Sequence, residues 1–343
     1  MPSARYYAHR LVFRHVGVPP RTMRPYVLPG LAALNEARWR RRLRRAPTIP
    51  FEQHAAAVGV KPIELPLRCH LCDADRVQPL FRPEKRDYHV VRCPECGLLY
   101  RNPGVRPERL GELYTGGYSR FLRGAYARER RRRYALVMDA FAPLFADGAG
   151  RRLLDFGCGT GLFLETARER GFAGSGVDLS LDSVEKARSR GLDAHHGSPA
   201  DVPELAKGGF DVITMWSVLA HLAEPVADLT TLRGLRADDG VLLILTVNAN
   251  SLLLKGEGPK WGGFTPNHLA IYSPTTLPRL LHRAGFGAVV TRPMYGDSVE
   301  AGSAPLWARQ ERRLRRVIDD GNRGNMLRAV AFAAPDGPAR WGL

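Results

Sequence analysis

The stretch LLDFGCGTG, Leu153 to Gly161, constrains the fold more than any other part of the chain. A short apolar run meets an acid and then three glycines at alternate positions. Gly161 opens a run patterned as a helix, Gly161–Arg170. A strand that ends in a glycine turn and feeds a helix is the first half of a βαβ unit. The pattern then repeats. Strands are expected at Leu153–Phe156, Ala173–Val177, Asp193–His195, Phe210–Met215, Gly240–Val247 and Ala288–Thr291. Helices are expected between them, at Asp182–Arg190, Glu224–Leu235 and Pro274–Ala284. Such alternation predicts a doubly wound α/β fold: a Rossmann-like, mostly parallel sheet covered on both faces. A last apolar run, Leu327–Ala333, follows a basic helix at Trp307–Asp319. It is expected to return as an antiparallel strand beside Ala288–Thr291.

The glycine spacing selects the ligand. A dinucleotide loop reads G-x-G-x-x-G and holds a pyrophosphate at a helix N-terminus. Here Gly157, Gly159 and Gly161 read G-x-G-x-G, and Asp155 stands at the leading edge. A carboxylate there repels pyrophosphate and suits an ammonium or sulfonium. Without a Cβ, Gly157 and Gly159 let backbone approach the ligand. The next strand ends Gly176-Val177-Asp178-Leu179-Ser180. Asp178 lies about 20 residues past the first glycine, where an acid binds ribose hydroxyls. A ribose, an adenine and a positive group without phosphate describe S-adenosylmethionine.

With these residues the chain resembles the class I S-adenosylmethionine-dependent methyltransferases, from Arg120 to about Phe286. The matching blocks are LLDFGCGTG, GVDLS, FDVITMWSVLAH (Phe210–His221) and LRADDGVLLILTVN (Leu235–Asn248). The resemblance implies that Asp155, Gly157, Gly159 and Gly161 wrap the methionyl part. It places Asp178 on the ribose and Leu179 against adenine. Ser198 falls where the family often has an acid at the adenine edge. Met215 and Trp216 would flank the cofactor.

Four of the five cysteines form a second motif. Cys69 and Cys72, then Cys93 and Cys96, make two C-x2-C pairs separated by 20 residues. Two such knuckles supply four thiolates to a structural zinc, in a closed site. Two disulfides are the alternative, disfavoured in a reducing compartment. His70 offers a substitute ligand. Cys158, inside the glycine loop, reads as a small space-filler. The stretch RCPECGLLYRNPGVRPERLGELYTGGY resembles the Cys-rich module that precedes the methyltransferase domain in some bacterial enzymes acting on sugars, surface polymers and secondary metabolites. That resemblance puts Tyr114 and Tyr118 near the cofactor mouth, or packed against the first helix, Arg120–Phe145. That helix carries Tyr126 and Tyr134 on its apolar stripe and Arg128–Arg133 outside.

Methyl transfer needs an aligned acceptor and a proton acceptor. The candidate bases are His221, after the fourth strand, and His268, in WGGFTPNHLAIYS; a helix cap or a backbone hydrogen bond is the alternative use of either. Residues 248–276 form a long connection whose Trp261, Phe264, Leu269 and Tyr272 are expected to cap the acceptor pocket. Quinone-precursor O-methyltransferases look similar at His221 but carry a Glu-x-x-Glu-His metal block. Ser217 and Ala220 replace those glutamates here.

The chain has 51 basic and 34 acidic residues, a net +17. Residues 1–50 hold eleven Arg and only Glu36 as an acid, so this segment carries +10 and the remainder +7. The expected organisation is a basic arm (1–60) with a protein or other acidic partner, a zinc-ribbon-like module (61–118) and a methyltransferase domain (119–343). The expected acceptor is a small molecule or biosynthetic intermediate. The rivals are an rRNA or tRNA methyltransferase and a non-catalytic cofactor-binding module. The RNA reading lacks an Asn/Asp-Pro-Pro-Tyr block and interleaved aromatics in the arm. No apolar run approaches the roughly 20 residues of a membrane span. No secretory h-region stands at the N-terminus, so a cytoplasmic protein is expected.

Overall fold

A computed structural model describes residues 31–83, 86–114, 130–131, 134–135, 137–139, 141–145, 147–294 and 324–340. Residues 1–30 of the basic arm, Tyr118, Tyr126, most of Arg128–Arg133 and the basic helix Trp307–Asp319 lie outside them.

Seven strands form the main sheet, in the order Ala288–Met294, Met326–Phe332, Arg236–Val247, Phe210–Trp216, Arg152–Phe156, Ala173–Asp178, Asp193–His196. Every pairing from Arg236–Val247 to Asp193–His196 is parallel. Met326–Phe332 inserts antiparallel between its two neighbours, with Val330 opposite both Leu243 and Val290. The expected antiparallel return is therefore present, and it also pairs with Arg236–Val247. These strands are apolar on both sides, because helices cover both faces. Side chains alternate along each strand. Leu154, Ile213, Met215, Leu242 and Ile244 enter one core, and Leu153, Val212, Trp216, Val241 and Leu243 the other.

Helix ends follow local chemistry. The helix after the glycine loop runs Leu162–Glu169, starting one residue later than expected, because Gly161 takes a left-handed φ of 78°. Leu181–Arg188 is capped by Ser180, whose Oγ accepts from Ser183 N–H at 3.3 Å. Pro225–Leu235 starts with proline at its first position. Arg236–Val247 begins before the expected Gly240, and its register against Phe210–Trp216 slips there.

The cysteines sit beside a second sheet, Ile49–Pro50, Arg76–Phe81, His89–Arg92, Leu99–Asn102 and Ala270–Ile271. Its first strand comes from the expected arm and its last from the expected cap. The chain is thus more interwoven than three consecutive segments. Arg101 fastens the cap: its guanidinium donates to Pro266 O at 2.7 Å, and its N–H donates to Leu269 O at 2.9 Å. Trp261, Phe264 and Ile271 pack with Tyr88, Val90 and Leu99, and Leu269 is equally buried. Tyr272 joins the cysteine core. These apolar side chains close a core against the cysteine module instead of lining an acceptor pocket. Within the expected arm, the helix Leu31–Arg45 packs on the cap through Trp39 and an ion pair from Lys255 to Glu36, 2.7 Å.

Candidate functional site

An open cleft of about 1060 Å³, counting solvent-continuous space, lies at the carboxyl ends of the central strands. That is where open α/β sheets bind ligands. Gly157 and Gly159 line it with left-handed φ of 79° and 54°. A Cβ on Gly157 would meet Val218 Cγ2 at 2.3 Å. Gly157 and Cys158 donate their N–H groups to Val177 O at 2.8 and 2.9 Å, which pins the turn to the neighbouring strand. Gly161 does not line the cleft. It starts the helix, and a Cβ there would meet Leu192 Cδ1 at 2.3 Å.

Asp178 lines the cleft, with Oδ2 accepting from Gly159 N–H and Oδ1 from Ser180 N–H, both 2.8 Å. Each oxygen keeps a lone pair for a hydroxyl. Burial pushes its carboxyl above the usual range. Leu179 lines the cleft as an exposed apolar shelf. Ser198 also lines it, but its hydroxyl accepts from Ala200 N–H, and Asp201 accepts from Ser198 N–H, so the serine caps a short turn.

Asp155 and Met215 do not line the cleft. Asp155 is buried at 1% exposure, accepting from Thr214 Oγ1 at 2.8 Å. Burial, then the Asp178 charge, push its carboxyl up to about 7. The fixed charge expected at the leading edge is therefore under the loop and only partly ionised at neutral pH. Met215 faces the opposite core, because it alternates with Trp216 on the strand. Trp216 does line the cleft, packed on Phe163 and Tyr134 at 4.7 and 5.3 Å.

The two candidate histidines meet, ring centroids 4.8 Å apart and edge to face. Only His221 lines the cleft. Its Nδ1 lies 2.9 Å from Tyr114 Oη. Burial and His268 push His221 down to about 3. His268 donates Nδ1–H to Gly263 O, and burial lowers it too. Ser217 holds a left-handed φ of 60° beside the cleft, a conformation non-glycine residues rarely adopt.

The four cysteine sulfurs lie within 4.8 Å of one another. Cys69–Cys96 and Cys72–Cys93 are 3.4 Å apart, and Cys69–Cys72 3.7 Å. Sulfurs at about 2.3 Å from a tetrahedral zinc are themselves about 3.8 Å apart. None of the five cysteines is paired in a disulfide. Each knuckle turns on a left-handed residue: Asp73 N–H donates to Cys69 O at 2.7 Å, and Gly97 N–H to Cys93 O at 3.0 Å. His70 turns away to Tyr272 Oη, 2.7 Å.

Residues 126–290 match a family described as methyltransferase domain. A ubiquinone biosynthesis O-methyltransferase of Neisseria meningitidis is 31% identical over 170 residues, 43% of this chain and 69% of that protein. The chain belongs to the class I S-adenosylmethionine-dependent methyltransferases. A protein of the same description from Aromatoleum aromaticum is 31% identical over 108 residues, 30% of this chain but only 46% of its own length. Among solved structures, a SAM-dependent methyltransferase from Archaeoglobus fulgidus aligns at 21% identity and a TM-score of 0.44, over 60% of this chain and 96% of that one.

The methyltransferase's cleft fits S-adenosylmethionine on its own chemistry. Among the described residues, the buried Thr160 Oγ1 and Trp216 Nε1 have no hydrogen-bond partner, and both residues line the cleft with Arg130. Together they offer donors and charge for a carboxylate. Asp178 offers acceptors for ribose, and Leu179 a face for adenine. Sequence reasoning missed Leu110, Arg130, Thr160, Leu222 and Asp228 on the walls. Thr160 stood inside the glycine loop and was recoverable there. The others reach the cleft only through tertiary packing.

Proposed function

We propose that this methyltransferase transfers the methyl group of S-adenosylmethionine to an oxygen of a small-molecule biosynthetic intermediate. The observation that carries the reading is that the Asp178 carboxylate and the Tyr114–His221 pair line one continuous cleft. The oxygen is supported by the relatives, which are described as O-methyltransferases. The cofactor supplies an electrophilic methyl group. Gly157 and Gly159 give it room, Asp178 holds the ribose, and Thr160, Trp216 and Arg130 receive the carboxylate.

His221 is the proposed proton acceptor. It is neutral at physiological pH, because burial pushes its pKa down to about 3. With Nδ1–H donating to Tyr114 Oη, Nε2 keeps the lone pair that takes a hydroxyl proton. His268 packs on the His221 ring and positions it. Between Ser217 and His221 only the histidine is a metal donor, which argues for acid–base rather than metal-assisted chemistry at this block. Cys69, Cys72, Cys93 and Cys96 hold one structural zinc in this reading, since a four-thiolate set leaves no open position.

The test is calorimetric titration with S-adenosylmethionine and, separately, NAD, followed by methyl-transfer assays on hydroxylated small molecules and on RNA. Binding of S-adenosylmethionine alone and transfer to a small molecule are expected. Absence of binding to folded, zinc-loaded protein overturns the reading. Transfer only to RNA overturns the acceptor class.

A further inference from the structure

Asp228 lies in the first turn of Pro225–Leu235 and lines the cleft, half-buried. Among the described residues its carboxylate has no hydrogen bond and no ion pair. Its helix neighbours do not satisfy it. Glu224, one turn before, is exposed and of the same charge. Thr231, three residues on, gives its hydroxyl to Ala227 O at 3.1 Å. Asp178 and Asp155 are occupied, Asp178 by two amides and Asp155 by Thr214. Ser198, also on the wall, uses its hydroxyl as a cap. Much of the surrounding wall is apolar, with Leu110, Val177, Leu179 and Leu222.

A carboxylate taken partly out of water without a partner costs stability. A helix N-terminus favours negative charge only modestly. Burial, then Glu224, already push this carboxyl up to about 6. Such a group is suited to a ligand that brings its own donor.

We propose that Asp228 is a specificity-determining residue that binds an N–H or O–H donor of the molecule held in the cleft. The proposal rests on the methyltransferase reading above. Two bound molecules can carry that donor: the cofactor, through the exocyclic amine of adenine, or the acceptor, through a hydroxyl or amine. The carboxylate accepts one charge-assisted hydrogen bond and takes no part in bond breaking.

The experiment compares the wild-type chain with Asp228→Asn and Asp228→Leu, each checked for zinc content and a cooperative melt. Three probes are titrated: S-adenosylhomocysteine, its analogue lacking the adenine amine, and 3,4-dihydroxybenzoate on protein loaded with S-adenosylhomocysteine. If the donor is adenine, Asp228→Leu weakens S-adenosylhomocysteine by about tenfold or more and erases its preference over the deamino analogue. If the donor belongs to the acceptor, S-adenosylhomocysteine is unaffected and the dihydroxybenzoate weakens by about tenfold. Asp228→Asn keeps an acceptor oxygen and should fall between; it also serves if the leucine variant fails to fold. Variants that match wild type for all three probes overturn the role of Asp228 while the methyltransferase reading stands. Wild type that binds no S-adenosylhomocysteine overturns that reading first.

Discussion

The phenol of Tyr114 lies 2.9 Å from Nδ1 of His221, across 107 residues of chain, at the wall of the cofactor cleft. A phenol in this place fixes the ring and orients its remaining nitrogen. His221→Gln should therefore lower kcat by about a hundredfold, the usual scale of general-base loss. Tyr114→Phe should cost less, because the base remains and only its orientation suffers. Affinity for S-adenosylhomocysteine should change little in both, as measured by calorimetry. The low pKa has a direction: His221 is already deprotonated at neutral pH. Its contribution to kcat should be flat from pH 5 upward and fail only as pH approaches about 3.

The glycine loop predicts a separate failure. Asp178→Ala leaves the Gly159 and Ser180 amides without their acceptor and removes the proposed ribose ligand. Gly157→Ala places a Cβ 2.3 Å from Val218 Cγ2 at a φ of 79°. Gly159→Val strains a φ of 54° in the same loop. Each variant should lose detectable binding of S-adenosylmethionine by calorimetry. Zinc content by elemental analysis should be unchanged, because the cysteines lie elsewhere.

The cysteine cluster predicts the converse. Cys69, Cys93 and Cys96 share one core with Leu154, Met215 and Leu280. Losing one of these cysteines should therefore loosen the packing behind the main sheet as well as the knuckles. Cys93→Ser, or chelation of the wild type, should lower the zinc content from one per chain toward zero. It should also lower Tm by several degrees, since structural zinc contributes folding free energy. A chelated protein with unchanged Tm would separate the cluster from stability.

Local signals made much of this legible. The short apolar runs and the helical patterns between them, from Leu153 to Ala284, marked each central strand and helix to within a few residues. The C-x2-C pairs marked the four sulfurs that the fold gathers. The errors came where tertiary packing decides. Residues 261–272 look like a pocket lining, yet Trp261 and Phe264 close a core with Tyr88 and Leu99. Met215 and Trp216 are adjacent in sequence and on opposite faces of the sheet. Asp228 carries no local motif, because its access to the cleft depends on how the helix Pro225–Leu235 docks.

Asp155 makes the last prediction. In the fold its pKa is pushed up to about 7, because burial and the Asp178 charge disfavour ionisation. The unfolded chain ionises near 3.8. Between these values the folded state binds more protons, so this residue's contribution to stability falls as pH rises, by about 1.4 kcal/mol per pH unit at most. The loss is complete above about pH 7. His221 runs the other way: its folded pKa is about 3 against an ordinary 6.5, so its contribution rises with pH across that window. The two oppose each other between about pH 4 and 6.5, and the wild-type melting curve alone hides both. Asp155→Asn isolates the first, because an amide oxygen still accepts from Thr214. The difference in Tm between variant and wild type should shift in favour of the variant from pH 4 to about pH 7 and level off above. A difference independent of pH would mean that Asp155 is not the buried, proton-retaining group described here.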